Sequence, residues 1–295
     1  MQTPKTRVID GCLYSRGLTP YAYTHTIHEL GQGNVEALTM PTYGWYEVEQ
    51  LSPLAIADLA ASVGKVWVDG EWQTYSPSAL ELLDKAALNI ARSARRAATK
   101  VRRLCKLKGL NTMMTLTYAE NVDDRERLVR DFDVFIKRVR RLIPDFQYVC
   151  VFERQARGSW HAHMATLKLL PVYWYKGKLW KSWDLFRHLW RAALGGGGSF
   201  NESSTAHGVI RSVAKLASYL SKYISKSFGG TERSGDSYRA SGAALPLPVR
   251  IKSIGCQASD AARELCDLIS VEIGSTKEFH VALLNCGGIF VVLSD

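Results

Sequence analysis

Two histidines and a glutamate lie close together within residues 152–163, in a chain that has only seven histidines. His161 and His163 are two positions apart, so in a β-strand their side chains point to the same face. If 146–153 and 160–167 pair as a hairpin, Glu153 lies on the neighbouring strand within reach of both imidazoles. Two imidazoles and one carboxylate with open positions suit Mg²⁺, Mn²⁺ or the Fe²⁺ of an oxygenase, whereas structural zinc needs four ligands. The alternative is that all three are ordinary polar residues at half-buried sheet positions.

Two tyrosines share one face of a helix that the sequence predicts for 213–228. At about 100° per residue, one arc of this helix holds Tyr219, Lys222, Tyr223 and Lys226. The apolar residues of the opposite side would pack on a sheet: Val213, Leu216, Ala217, Leu220 and Ile224. Tyrosine can act as a covalent nucleophile, although ionising a phenol with a pKa of about 10 costs about 4 kcal/mol at pH 7. Nearby lysines favour the phenolate and a divalent metal polarises a phosphate, so the two groups of residues complement each other. The alternative is an ordinary amphipathic helix.

The charge of the chain indicates a polyanionic partner. Lysines and arginines number 38 against 28 acidic residues, which gives a net charge of +10 and a pI near 9.3. No acidic residue occurs from Lys85 to Tyr118, where a predicted helix over 78–108 precedes Gly109. Its basic residues are Arg92, Arg95, Arg96, Lys100, Arg102, Arg103, Lys106 and Lys108. Basic residues without interleaved acids favour contacts with nucleic-acid phosphates over a merely solvated helix face.

The periodicity predicts an α+β fold. Residues 1–77 are predicted as short strands and loops, and the regular pattern begins with the basic helix. The following elements are expected as strand 111–118, helix 123–142, strand 146–153, strand 160–167, helix 178–193, a Gly-rich loop, a short strand 209–213 and helix 213–228. This β-α-β-β-α-β order is that of a ferredoxin-like antiparallel sheet, with the tyrosine helix packed on its metal-bearing face. We therefore divide the chain into an N-terminal segment 1–77, a core 78–230 and a strand-rich C-terminal extension 231–295.

Three motifs together resemble those of the HUH endonucleases. They are TLTY at 115–118, FERQARGSWHAH at 152–163 and YLSKYISK at 219–226. Their order and spacing are most similar to the replication initiators of single-stranded DNA phages, the inovirus and microvirus type, in the branch with two tyrosines. Ala162 stands at the apolar position between the histidines, and the resemblance covers roughly residues 90–230.

The resemblance implies a role for each motif residue. The metal ligands for Mg²⁺ or Mn²⁺ would be Glu153, His161 and His163. The catalytic residues would be the nucleophiles Tyr219 and Tyr223 with Lys222 between them, and Lys226 would join the basic helix in binding DNA.

The implied activity is rolling-circle DNA replication. One tyrosine would nick single-stranded origin DNA, leaving a 5′-phosphotyrosine and a free 3′-OH, and the second would later release a rejoined circle. Host helicase and DNA polymerase would be partners, because the sequence has no GxxxxGK[ST] phosphate-binding loop. The expected location is the reducing cytoplasm of the host cell. No signal peptide precedes the charges, the six cysteines form no CxxC pair, and apolar runs are too short for a membrane.

Other readings remain open at this stage. A plasmid initiator would share all three motifs, whereas HUH transposases are usually shorter with one tyrosine. Relaxases usually carry a third histidine near the pair, and neither His188 nor His207 is placed in such a motif. A different class is a non-catalytic single-stranded DNA-binding protein, in which the tyrosines stack on bases and the histidines are incidental.

Overall fold

The computed structural model of the chain describes residues 6–9, 12–50, 65–68, 71–74, 79–155, 158–196, 199–201, 212–227, 238–242, 244–273, 278–285 and 287–294. Two compact units divide the chain. The central unit consists of Glu29–Val35, Leu88–Leu247 and Leu293–Asp295, and the terminal unit of Met1–His28, Glu36–Ala87 and Pro248–Val292.

The strands and helices have the following bounds. The strands are β1 Thr6–Ile9, β2 Cys12–Glu29, β3 Val35–Gln50, β4 Lys65–Val68, β5 Glu71–Thr74, β6 Thr112–Thr117, β7 Tyr148–Arg154, β8 Trp160–Thr166, β9 Val172–Tyr175, β10 Lys178–Lys181, β11 Ser199–Asn201, β12 Tyr238–Ala240, β13 Val249–Ile254, β14 Glu278–Leu283 and β15 Ile289–Ser294. The helices are α1 Ala79–Leu107, α2 Arg125–Leu142, α3 Ser182–Ala193, α4 Val213–Ser227 and α5 Ala258–Ile273.

The sheet of the central unit is antiparallel throughout, with the strand order β11-β6-β8-β7-β12. Along the chain β6, α2, β7, β8, α3 and β11 follow the predicted β-α-β-β-α-β order, interrupted by the small β9–β10 hairpin. The predicted α+β class is confirmed. The finer ferredoxin-like assignment stays a prediction.

Both faces of this sheet are covered, because side chains alternate between two apolar clusters. On one face the even-numbered residues of β8, such as Ala162 and Met164, pack with aromatic residues of α2 and α3. On the other face Val149, Val151 and Ala165 pack with apolar residues of α1 and α4. All seven residues of β8 are buried as a result. The predicted packing of the tyrosine helix on the His-bearing face is what the structure has.

Local signals explain where the helices begin and end. Asp124 caps α2, since its Oδ1 accepts hydrogen bonds from the backbone N–H groups of Glu126 and Arg127. After α1, Gly109 adopts a positive φ of 61°, and its N–H donates to the carbonyl of Lys106. Such a left-handed glycine satisfies the last carbonyls of a helix. The predicted end of α1 is confirmed.

Two predictions between β8 and α4 are wrong in detail. The helix expected from 178 begins at Ser182, because 178–181 form β10 and pair with β9 across a turn at Lys176 and Gly177. Both turn residues have positive φ, 49° and 79°, which matches the right-handed twist of a two-residue hairpin. In the predicted Gly-rich loop, Ser199–Asn201 pair with β6 as an edge strand. The predicted strand at 209–213 lies outside the described residues except for its last two positions, and Val213 starts α4.

The terminal unit has a sheet with the order β1-β2-β3-β15-β14, and β13 pairs with β2. The prediction of short strands for 1–77 is wrong for β2 and β3, which have 18 and 16 residues. β2 is long because it pairs with β1 over Cys12–Ser15 and with β13 over Ala22–Ile27. The tail supplies three strands and the helix α5, which the sequence did not predict.

Candidate active site

The predicted ligand residues meet on one face of the β7–β8 hairpin. Glu153 lies directly opposite His161, and His163 lies opposite Val151 on one side and Thr115 on the other. Oε2 of Glu153 is 2.8 Å from Nε2 of His163. Glu153, His161 and His163 are only 8%, 4% and 7% exposed. A carboxylate at this depth needs a specific partner, and His163 provides one.

Neighbouring polar groups orient both imidazole rings. Oγ1 of Thr115 lies 3.2 Å from Nδ1 of His163, and Nε2 of Gln155 lies 3.2 Å from Nδ1 of His161. An ionised carboxylate only accepts hydrogen bonds, so His163 donates to Glu153 through Nε2–H. Nδ1 of His163 then accepts from the hydroxyl of Thr115, and Nδ1 of His161 accepts from the amide of Gln155. This tautomer of His163 is therefore fixed at both nitrogens.

Helix α4 brings the two tyrosines onto this hairpin. Its buried side, Leu216, Ala217, Leu220 and Ile224, packs on the same sheet face as Val151. The ring of Tyr223 stacks on His163 with centroids 3.9 Å apart and planes at 14°. Tyr219 meets Tyr223 edge to face at 5.2 Å, and their hydroxyl oxygens are 2.6 Å apart. Two motifs some sixty residues apart in sequence therefore form one cluster.

The lysines of α4 are placed differently from the tyrosines. Lys222 is exposed, while both tyrosines are half-buried. Lys226 lies within α4, and its side chain is outside the described residues. Val213 is half-buried at the start of the helix rather than part of the buried side.

The donor set suits Mg²⁺ or Mn²⁺ in chemistry, although no three ligands converge on one point. In the described part of the chain, no group of three His, Cys, Asp or Glu side chains is arranged to hold a metal ion. The 2.8 Å between Glu153 and His163 is close to the roughly 3 Å that separates two adjacent ligands of an octahedral ion with bonds of about 2.1 Å. An imidazole and a carboxylate at this separation fit two adjacent positions on such an ion, with the metal replacing the shared proton.

The basic residues of α1 divide into exposed and committed groups. Four are exposed to solvent: Arg92, Arg95, Arg96 and Lys100. Arg102 and Arg103 are half-buried, and Lys106 is only 4% exposed. Lys108 donates to Oε1 of Gln147 at 3.0 Å, and burial lowers the pKa of its ammonium. The exposed four are the ones placed to meet phosphates without further rearrangement.

Two neighbours of the site need separate mention. Thr115 and Gln155 were not predicted as site residues, although Thr115 belongs to the TLTY motif and Gln155 to the stretch that follows Glu153. Trp160 was expected to be a core residue rather than a base-stacking one, and this is confirmed. It is buried on the opposite face with α2, and its indole N–H donates to the carbonyl of Asp123 at 3.0 Å.

Comparison with known proteins supports a replication function. Residues 111–228 match the profile of a family described as replication-associated protein, of the ORF2 type. The matched range begins just before β6 and ends just after α4, so it contains the Glu153–His163 pair and both tyrosines. No curated protein and no solved structure shows a significant match. The match supports a replication initiator of the Rep type that binds DNA. Within the described ranges, no helix is both long and apolar enough to span a membrane.

Proposed function

We propose that the protein initiates rolling-circle replication by nicking single-stranded origin DNA through a metal-assisted tyrosine attack, as a nickase and strand transferase of the HUH type from a phage or a related prophage. The contact of Tyr223 with His163 carries the proposal, since it unites the two motifs that the resemblance assigns to nucleophile and metal. A pair of tyrosines that only filled a core would have no need of hydroxyls 2.6 Å apart at half-buried positions.

The proposed first step exchanges one phosphodiester for another. The hydroxyl oxygen of Tyr219 or Tyr223 attacks the scissile phosphorus, the bond to the 3′ oxygen breaks, and a 5′-phosphotyrosine forms. The phenol loses its proton and the departing 3′ oxygen gains one, so a free 3′-OH is left for extension. The second tyrosine repeats the attack after one circuit. The released 3′-OH then attacks the first phosphotyrosine to close the circle without ATP.

Residues of the sheet and the helix would divide the work. Glu153, His161 and His163 would hold Mg²⁺ or Mn²⁺, which when bound would supply Lewis-acid polarisation of the phosphate. The hydrogen bond between the two phenols would stabilise whichever tyrosine is ionised, because a bond to a charged group is stronger than one between neutral groups. Lys222, exposed on the same helix, would favour the phenolate and the phosphate electrostatically.

The exposed basic residues of α1 would position the DNA. Arg92, Arg95, Arg96 and Lys100 lie along the helix that packs on the same sheet face as α4. Contacts of this kind bind phosphates without reading sequence. We also propose a host helicase and a DNA polymerase as partners in the cytoplasm of the host cell, since strand displacement and extension need both.

A gel assay of covalent adducts tests the proposal. The protein is incubated with labelled single-stranded circles of its own genome and Mn²⁺, Mg²⁺ or EDTA, and Tyr219→Phe, Tyr223→Phe and the double variant run alongside. We expect an SDS-stable, metal-dependent adduct that persists in at least one single variant and vanishes in the double. Binding on native gels with no adduct under any metal would contradict the nickase and favour the non-catalytic single-stranded DNA-binding protein.

A further inference from the structure

A second basic surface lies on the opposite face of the central sheet from the tyrosine helix. Between Leu167 and Gly196 the chain has six lysines and arginines and a single acidic residue, Asp184. This surface, called here the hairpin surface, is formed by β10, α3 and the outer face of β9. α3 packs on the aromatic cluster with α2, whereas α4 packs on the other side. The proposed nicking chemistry makes no use of it.

β10 and α3 line an open groove of about 540 Å³. Its polar lining consists of Lys178, Lys181, Arg187, His188, Arg191 and Asp184. Asp184 accepts a hydrogen bond from Arg187 at 3.0 Å, so the one carboxylate is already neutralised by a neighbour. Lys178, Lys181 and Arg191 are exposed. The groove therefore has a surplus of cations, which complements a run of phosphates.

Aromatic rings accompany these cations. Trp174 is 65% exposed on the outer face of the hairpin, directly opposite Leu179, which is 64% exposed. On the inner face the ammonium of Lys178 lies 4.2 Å from the centre of the Trp180 ring, and Trp180 contacts His188 at 5.0 Å. A tryptophan that stays largely in water costs free energy unless a partner covers it. Cations beside an exposed indole are the combination used for single-stranded nucleic acids, where phosphates follow the groove and a base stacks on the ring.

The hairpin is fixed in place rather than loosely attached. Tyr173 packs on Phe186 at 6.4 Å, and its hydroxyl accepts from the N–H of Leu170 at 3.1 Å. The backbone N–H of Ser182 donates to the carbonyl of Pro171 at 3.1 Å, which ties the start of α3 to the start of β9. A surface held this way can present Trp174 with little ordering cost on binding.

We infer that the hairpin surface binds a second stretch of single-stranded DNA, separate from the stretch at the tyrosines. The phosphates lie along Lys178, Lys181 and Arg191, and an unpaired base stacks on Trp174. The proposal rests on the proposed function only in taking single-stranded DNA as the partner. It requires no covalent step and no metal.

Binding measurements on the full-length protein test this surface. Fluorescence anisotropy is recorded in EDTA over a salt series, with a single strand of about 40 nucleotides, longer than the ~4–16 nucleotides of one site. The variants are Lys178→Ala/Lys181→Ala and Trp174→Ala, and the matched control is Lys137→Ala/Arg141→Ala, which removes two exposed charges from α2. All replaced side chains are exposed, so the fold is retained.

The expected changes differ between the two variants. Losing two phosphate contacts lowers the slope of log K against log salt by about 1.4, at about 0.7 per phosphate of a single strand. Trp174→Ala weakens binding about 5-fold or more with little change in slope, because stacking carries no counterion release. The control pair keeps the wild-type slope and affinity.

Three results would overturn the inference. They are unchanged binding in both variants, an equal loss in the control pair, or a loss confined to duplex DNA of the same sequence. Adduct formation is followed in the same variants on a strand of about 12 nucleotides, within one site. Absence of any adduct in the wild type would count against the proposed nickase alone, since the EDTA binding data do not depend on it.

Discussion

Three neighbours hold the imidazole of His163 in one state. Glu153 accepts from Nε2, Thr115 lies at Nδ1, and Tyr223 covers the ring face at 3.9 Å. A ring fixed at both nitrogens and one face cannot turn without breaking a buried hydrogen bond, which costs about 1–3 kcal/mol. The same contacts that fix the histidine also fix the position of one tyrosine. Sequence could place His161 and His163 on one face by alternation, but the hydrogen bond to Thr115 depends on the register of β6.

Replacing Glu153 by Gln tests the ligand set without relying on activity. The amide keeps an acceptor for His163 but loses the charge that would bind the metal. Wild-type protein should gain about 2.7 kcal/mol of stability at a Mn²⁺ concentration about 100-fold above Kd, seen as a rise in Tm, and Glu153→Gln should lose most of this gain. Glu120→Gln is the control, because that carboxylate is exposed and pairs with Arg127. An equal Mn²⁺-dependent rise in Glu153→Gln would show that Glu153 is not a ligand.

The contact between the two phenols predicts that the tyrosines are not independent. A hydrogen bond to an ionised group contributes about 1.5–3 kcal/mol, so its loss slows attack by the remaining tyrosine about 10- to 150-fold. We expect even the faster of Tyr219→Phe and Tyr223→Phe to form adduct at least about 10-fold more slowly than wild type. Tyr238→Phe, on the same sheet face, should leave the rate unchanged. A faster single variant within about twofold of wild type would mean that the phenols act separately.

At the scale of elements, periodicity predicted those that have one buried stripe. α2, β7, β8 and α4 fit their predicted positions within a few residues, since each shows the spacing of a helix or a two-sided strand. The β9–β10 hairpin overlaps the predicted helix because Leu179, Trp183 and Phe186 also have helical spacing. The signal that distinguishes them is the Lys176–Gly177 turn, whose positive φ values a helix cannot accommodate.

Packing of α4 on the sheet predicts the cost of removing its central leucine. Leu220 is fully buried in the cluster that carries the tyrosines. Leu220→Ala should lower the free energy of unfolding by about 2–5 kcal/mol through lost burial and a cavity, measured by urea denaturation. Leu247→Ala removes the same atoms from a side chain that is 93% exposed, so it should change stability by less than about 0.5 kcal/mol. Equal effects would show that α4 does not pack on the sheet through Leu220.

At the scale of the whole molecule, the terminal unit depends on pairings that no local pattern reveals. β13 pairs with β2 although Ile251 and its partner His25 lie near opposite ends of the sequence. Loop closure over such a distance costs little extra free energy per added residue, yet nothing local identifies the partner. The central unit was predictable because its strands follow one another at short intervals. The three predicted segments remain a prediction, and the structure joins the first and last in one compact unit.

His25 is the residue at which these distant segments meet, and it makes stability depend on pH. Its buried ring lies 2.8 Å from Oγ1 of Thr39 and 2.7 Å from Oγ of Ser253. Burial lowers the pKa of His25 below its usual value of 6.5, and the carboxylate of Glu264 at 3.7 Å opposes this only in part. As pH falls below about 6.5, the unfolded chain therefore takes up the proton first.

The free energy of unfolding should consequently decrease as pH falls from about 6.5 towards the folded-state pKa, and be unaffected by this residue above that range. Tm measured between about pH 7.5 and pH 5 should fall less steeply in His25→Gln than in wild type, although the variant starts lower because two buried hydroxyls lose their partner. His280→Gln, at an exposed position of the same unit, should reproduce the wild-type slope. If His25→Gln keeps that slope as well, the pH dependence arises from other groups, and His25 contributes to stability through its hydrogen bonds alone.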